Sequence, residues 1–144
     1  MNKIWNFIKR WFIEMGSPPL FYKWSSKILP WLSIVSILIL GVGLYWGMFY
    51  APTDYKQGDV YRILFIHVPS AILGQSIFMF MAICGFINMI WRAKISGMML
   101  KSAAPIGASF TLLALVTGSI WGKPTWGTWW VWDARLTSTL ILFF

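Results

Sequence analysis

The sequence of 144 residues predicts an all-α fold, a polytopic membrane helical bundle with three complete transmembrane helices and the start of a fourth. Hydrophobic residues make up 58% of the chain and charged residues only 11%, whereas a soluble domain carries about 25% charged residues. The apolar residues form runs of about 20, the length that a helix needs to cross a bilayer. The net charge of +8 arises from Lys and Arg residues that lie between these runs, a pattern typical of cytoplasmic loops. We therefore expect no nucleic-acid partner.

Residues 1–27 are predicted to form a cytoplasmic amphipathic segment that lies on the membrane surface. The segment carries five basic residues against a single acid, Glu14, and its apolar residues recur every three or four positions. A role at the lipid surface is favoured for Trp5 and Trp11 over ligand binding. The turn-forming residues 16–19 are predicted to end this helix.

The remaining residues, 28–144, are predicted to form one transmembrane domain. Pro69 is placed near the first position of its helix, where a missing N–H is tolerated, so residues 60–68 become a short interfacial turn or helix. Residues 92–101 form a short basic loop. The chain stops inside the last apolar run, which suggests a C-terminally truncated protein. The predicted spans are residues 28–50, 69–91 and 102–120, with a further helix starting at residue 134.

The distribution of charge predicts the topology of the domain. Basic residues that no acid offsets lie in the N-terminal segment and between the second and third spans. The positive-inside rule therefore places the N-terminus in the cytoplasm. His67 and the segment 121–137 are then expected on the opposite side of the membrane.

The segment 121–137 holds the densest group of aromatic residues in the chain. Glycines and a proline separate the tryptophans, so a rigid aromatic shelf is favoured over an ordinary helix face. If residues 126–133 were helical, Asp133 would share a face with three of the indoles. The alternative is an aromatic belt at the membrane interface. The five tryptophans are Trp121, Trp126, Trp129, Trp130 and Trp132.

Four polar residues near this segment are candidates for binding or for structural roles. His67, the only histidine, could ligate iron through one ring nitrogen, or could simply bond to water or to a backbone carbonyl. Asp133 is predicted to cap the helix that follows it. Lys123 and Arg135 are either interfacial anchors or partners for carboxylates on a ligand. We find no paired carboxylates, nucleophile–base pair or phosphate loop that would indicate a hydrolase or transferase.

The stretch WGKPTWGTWWVWDARLTS closely resembles the tryptophan-rich WWD motif of the CcmC family of haem-handling membrane proteins. The sequence FIHVPSA around His67 supports the resemblance, which extends over residues 16–144. Related WWD proteins of the CcmF and CcsA type lack the ARLTS continuation. The resemblance implies six spans in a full-length protein and a transiently bound haem b (iron protoporphyrin IX). It also implies that His67 is one axial ligand and that a second lies beyond residue 144.

The resemblance further implies a role in System I cytochrome c maturation in the bacterial inner membrane. Haem would be presented on the periplasmic face and delivered to the haem chaperone CcmE, assisted by CcmA, CcmB and CcmD. The chain would then be a transport component and not an enzyme. A haem-attachment synthetase subunit and a non-haem scaffold that docks a partner protein are the alternatives. The expected haem-binding residues are His67, Trp121, Lys123, Trp126, Trp129, Trp130, Trp132, Asp133 and Arg135.

Overall fold

The computed structural model describes residues 16–144 together with Ile4, Asn6 and Phe7. Most of the predicted amphipathic segment, including Trp5 and Trp11, therefore lies outside the described residues. Three helical stretches of 33 residues are long and apolar enough to cross a membrane, which confirms the all-α membrane fold. The α-helices are α1 (Pro18–Tyr45), α2 (Leu64–Trp91), α3 (Lys94–Trp126) and α4 (Ala134–Phe143).

Helix α1 begins within the turn-forming residues that were predicted to end a preceding helix. Proline occupies its first turn, where the backbone N–H groups have no partner inside the helix. No described residue of α1 is buried. The helix ends in a π-helical turn, Trp46–Tyr50, which lies against the start of α2. A Cβ added to Gly47 there would lie 2.8 Å from Cγ of Phe65, so glycine is required for this close approach.

The prediction that Pro69 starts a helix is wrong. A 3₁₀ turn, Asp59–Ile63, leads directly into α2, and Pro69 lies inside that helix. Proline is tolerated inside transmembrane helices where neighbouring hydroxyl groups bond the backbone around it. Next to the proline, the Ser70 hydroxyl donates to the carbonyl of Ile66 at 2.7 Å.

Helices α2 and α3 form an antiparallel pair that contains the core of the described chain. The connection between them is only Arg92 and Ala93, because the predicted loop 92–101 is helical from Lys94 onwards. Small residues allow the two helices to approach closely. The buried residues of the pair are Ser70, Gly74, Cys84, Ser96, Ala103, Gly107, Thr111, Ala114, Leu115 and Gly122.

Helix α3 continues through Pro124 and includes the first part of the tryptophan-rich segment. It ends at Trp126, and the following Gly127 adopts a left-handed conformation with φ of 78° and donates its N–H to the carbonyl of Lys123 at 3.0 Å. Residues 127–133 are not helical. The shared helical face that would have placed Asp133 beside the indoles therefore does not form.

Candidate functional site

A cavity of about 600 Å³ lies between α2, α3 and α4, at the end of the bundle where α2 begins and α3 ends. Its volume is in the range of known small-molecule and cofactor sites. Most of its wall is apolar, with hydroxyl, amide, imidazole and guanidinium groups placed among the apolar atoms. The lining residues are His67, Ala71, Gln75, Thr111, Ala114, Leu115, Gly118, Trp121, Trp126, Arg135, Leu136, Ser138, Thr139 and Leu142.

His67 lies half-buried in the first turn of α2 and is held against α3 through Nδ1. That nitrogen lies 3.0 Å from the carbonyl oxygen of Ala114 and 3.1 Å from Oγ1 of Thr117. The Thr117 hydroxyl donates to the carbonyl of Leu113 at 2.7 Å. Because a carbonyl can only accept, Nδ1 of the neutral imidazole must carry the proton. The lone pair of Nε2 is then available to a ligand.

His67 therefore does bond to a backbone carbonyl, which was the alternative to iron binding, but this bond involves only one of its two ring nitrogens. A bond from Nδ1–H to a backbone carbonyl is the usual way to fix the tautomer of a histidine that binds a metal through Nε2. Among the described residues, no three His, Cys, Asp or Glu side chains come together as a metal site. The imidazole thus offers a single nitrogen ligand.

Two residues of α3 fix the position of the imidazole ring. A Cβ added to Gly118 would lie 3.0 Å from Cε1 of His67, so the ring occupies the space that a side chain would need. The indole of Trp121 meets the imidazole edge to face, with ring centroids 5.7 Å apart. This contact brings Trp121, the first residue of the tryptophan-rich segment, beside His67.

The five predicted tryptophans separate into two groups. Trp121 and Trp126, in the last turns of α3, line the cavity together with His67. Trp129, Trp130 and Trp132 belong to the non-helical residues 127–133 and do not line it. Trp130 and Trp132 pack edge to face with centroids 5.6 Å apart, and the exposed fraction of Trp132 is 75%.

The prediction that Asp133 caps a helix is confirmed. Its Oδ1 accepts a hydrogen bond from the backbone N–H of Leu136 at 2.7 Å, and its backbone carbonyl accepts from Thr137 at 3.0 Å. The cap fixes the start of α4, and with it the direction in which residues 127–133 enter that helix.

The two candidate cations are placed differently. Arg135 lines the cavity, where its guanidinium lies 5.7 Å from the ring centroid of Trp126 and 3.2 Å from Oδ2 of Asp133. The ammonium of Lys123 donates to the carbonyl of Gly127 at 3.1 Å, at the end of α3, and Lys123 is not a lining residue. Arg135 is therefore the cation next to the cavity.

The sequence did not indicate several residues that build the site. Thr117 and Gly118 hold His67, and Gln57 accepts a hydrogen bond from the indole of Trp121 at 2.8 Å. A small residue in an apolar helix is a signal for close packing, but it does not identify the partner. Gln57 carries no local signal, because its contact spans 64 residues of sequence.

Comparison with known proteins gives one consistent result. The family described as heme exporter protein C matches residues 11–144. The heme exporter protein C of Escherichia coli K12 is 51% identical over 131 residues, covering 91% of this chain and 54% of that protein. The protein of the same name from Haemophilus influenzae is 46% identical, covering 94% of this chain and 55% of its own length. The one from Bradyrhizobium diazoefficiens is 47% identical, covering 91% of this chain and 49% of its own length. The chain spans about half the length of these curated relatives.

Proposed function

The chain belongs to the heme exporter protein C family, and we propose that it binds haem in the cavity beside His67 as part of cytochrome c maturation. The observation that carries the proposal is the hydrogen bonding of His67, which keeps Nε2 unprotonated beside a cavity of about 600 Å³. Haem iron takes a neutral imidazole nitrogen as an axial ligand. A porphyrin also needs apolar walls and a cation near its carboxylates, and the same cavity has both.

The residues around the cavity suggest how a haem would be held. His67 would supply the axial nitrogen, and the indoles of Trp121 and Trp126 would supply apolar contact with the flat macrocycle. Arg135 would pair with a propionate. Its side chain remains 69% exposed beside its partner Asp133, and the five N–H donors of arginine can bond a second carboxylate.

The non-helical residues 127–133 would cover the outer side of the bound haem. We assign Trp129, Trp130 and Trp132 to this contact, with Asp133 holding the segment in place through its cap on α4. Lys123 would act there by fixing Gly127 and by lying over the ring of Trp129 at 5.9 Å. The large exposed fractions of Trp129 and Trp132, 57% and 75%, suit a haem that is bound transiently and passed on.

We further propose that the haem b is presented on the periplasmic face of the bacterial inner membrane and delivered to CcmE, with CcmA, CcmB and CcmD as further partners. The basis is the resemblance of the WWD motif, together with the positive-inside rule, which favours a cytoplasmic N-terminus. On the same basis, the chain would act as a delivery component and not as an enzyme.

The absorption spectrum of the detergent-purified protein tests the proposal. We expect haem to co-purify with the protein and to show a Soret band. His67→Ala should remove most of this band. Added imidazole should restore it, because imidazole can enter the space that the side chain left. Asn88→Ala is the matched control, since Asn88 is also half-buried on α2 but lies at its other end. A colourless preparation from haem-replete cells would contradict haem binding and favour a non-haem scaffold. A Soret band that His67→Ala leaves unchanged would remove His67 from the site.

A further inference from the structure

The loop between α1 and α2 is a rigid turn next to the cavity. Oδ1 of Asp54 accepts hydrogen bonds from the backbone N–H groups of Lys56 and Gln57, both at 2.8 Å. The N–H of Gly58 donates to the backbone carbonyl of Asp54 at 2.9 Å. Gly58 has φ of 57° and ψ of −138°, a backbone region that essentially only glycine adopts. These bonds fix the backbone of Gln57.

The base of this loop is also tied to the helices on both sides. The Tyr61 hydroxyl donates to the carbonyl of Pro52, and the Arg62 guanidinium donates to the carbonyl of Met48. Arg62 also pairs with Asp59 at 3.1 Å. The loop therefore presents the side chain of Gln57 from a fixed platform.

The Gln57 side chain connects this platform to the cavity wall. Its Oε1 accepts a hydrogen bond from Nε1 of Trp121 at 2.8 Å. An indole has only one donor, so this bond selects one orientation of the ring. In that orientation Trp121 meets His67 edge to face and lines the cavity. Asp54, Gln57, Trp121 and His67 thus form a continuous series of contacts.

We propose that Gln57 is a positioning residue of the site, which acts by holding the indole of Trp121 against the imidazole of His67. Its effect on haem rests on the function proposed above, whereas its effect on His67 does not. Removing the acceptor leaves the indole N–H without its partner and frees the ring to rotate. The imidazole then loses one of its walls and becomes more accessible.

The test compares Gln57→Leu, which has no acceptor, with Gln57→Glu, which keeps one. Thr53→Val is the matched control, because Thr53 is exposed on the same loop and its hydroxyl makes no hydrogen bond to another described residue. Two quantities are measured on each purified variant: the haem dissociation constant from Soret titration, and the rate of diethyl pyrocarbonate modification of His67 by mass spectrometry without haem.

We expect Gln57→Leu to weaken haem binding and to speed the modification of His67, each by about two- to tenfold, the usual effect of one hydrogen bond. Gln57→Glu and Thr53→Val should stay within about twofold of the unsubstituted protein. In a protein that already carries Trp121→Phe, which removes the donor, Gln57→Leu should cause no further change in haem affinity or in the modification rate. The reason is that the effects of two residues that act through one bond are not additive.

Unchanged modification rates in Gln57→Leu would overturn the proposal, whether or not haem binds. So would additive effects of Gln57→Leu and Trp121→Phe. If the protein binds no haem but Gln57→Leu still speeds the modification of His67, the positioning role stands and the proposed function fails. If Gln57→Leu does not fold, Gln57→Ala, which also lacks the acceptor, takes its place, and an unchanged rate there counts against the proposal.

Discussion

Replacing Asp133 by alanine should loosen the first turn of α4 without unfolding the rest of the bundle. The substitution removes the acceptor of the Leu136 N–H, an interaction that typically stabilises a helix by about 1 kcal/mol. It also removes the ion pair with Arg135, but the two side chains are 69% and 39% exposed, so the pair adds at most a few tenths of a kcal/mol. The cap is therefore the dominant loss.

The size of the effect follows from the length of α4. The helix has 10 residues, none of them buried, and helices this short are marginal without their caps. A loss of about 1 kcal/mol corresponds to about a fivefold increase in local opening. Hydrogen–deuterium exchange at Leu136, followed by mass spectrometry, should therefore become about fivefold faster in Asp133→Ala.

Asp133→Asn separates the cap from the charge. Asparagine caps helices about as well as aspartate but cannot form the ion pair with Arg135. We expect exchange at Leu136 in Asp133→Asn to remain within about twofold of the unsubstituted protein. Equal acceleration in the Asn and Ala variants would show that the charge stabilises the turn, and no acceleration in either would refute the role of Asp133 in fixing α4.

Two further predictions concern haem binding, measured by Soret titration. Gly118→Ala should weaken haem binding about fivefold, because the new Cβ would lie 3.0 Å from the His67 ring and displace it. Gly85→Ala is the control and should have no effect, because a Cβ there meets nothing within 4 Å. Equal effects of the two substitutions would contradict the packing argument. Arg135→Gln should weaken haem binding about three- to tenfold, because it removes a charge-assisted hydrogen bond whose strength is reduced by the exposure of the side chain. Lys123→Gln should change haem binding less than twofold. The reverse order would show that Lys123 is the cation that meets the propionates.

The features that the sequence predicted correctly are those with a local cause. Three apolar runs determine three long helices, and the aspartate before ARLTS has the chemistry of an N-cap. The charge pattern predicted His67 and the tryptophan-rich segment on one side of the membrane, and this side remains a prediction.

The features that the sequence did not predict depend on contacts between distant residues. Pro69 reads as a helix start, but α2 begins at Leu64, directly after the 3₁₀ turn, and continues through the proline. Lys123 and Arg135 look equivalent in the sequence, and only the fold shows that α4 directs Arg135 to the cavity. The bond between Gln57 and Trp121 joins two segments whose pairing no local pattern encodes.

The position of the iron in a crystal of the haem-loaded protein, located by anomalous diffraction at the iron edge, tests the central claim most directly. The hydrogen bond from Nδ1 of His67 to Ala114 predicts iron within bonding distance of Nε2, on the cavity side of the imidazole. Iron bonded to Nδ1, or iron that is not bonded to His67 at all, would contradict the account.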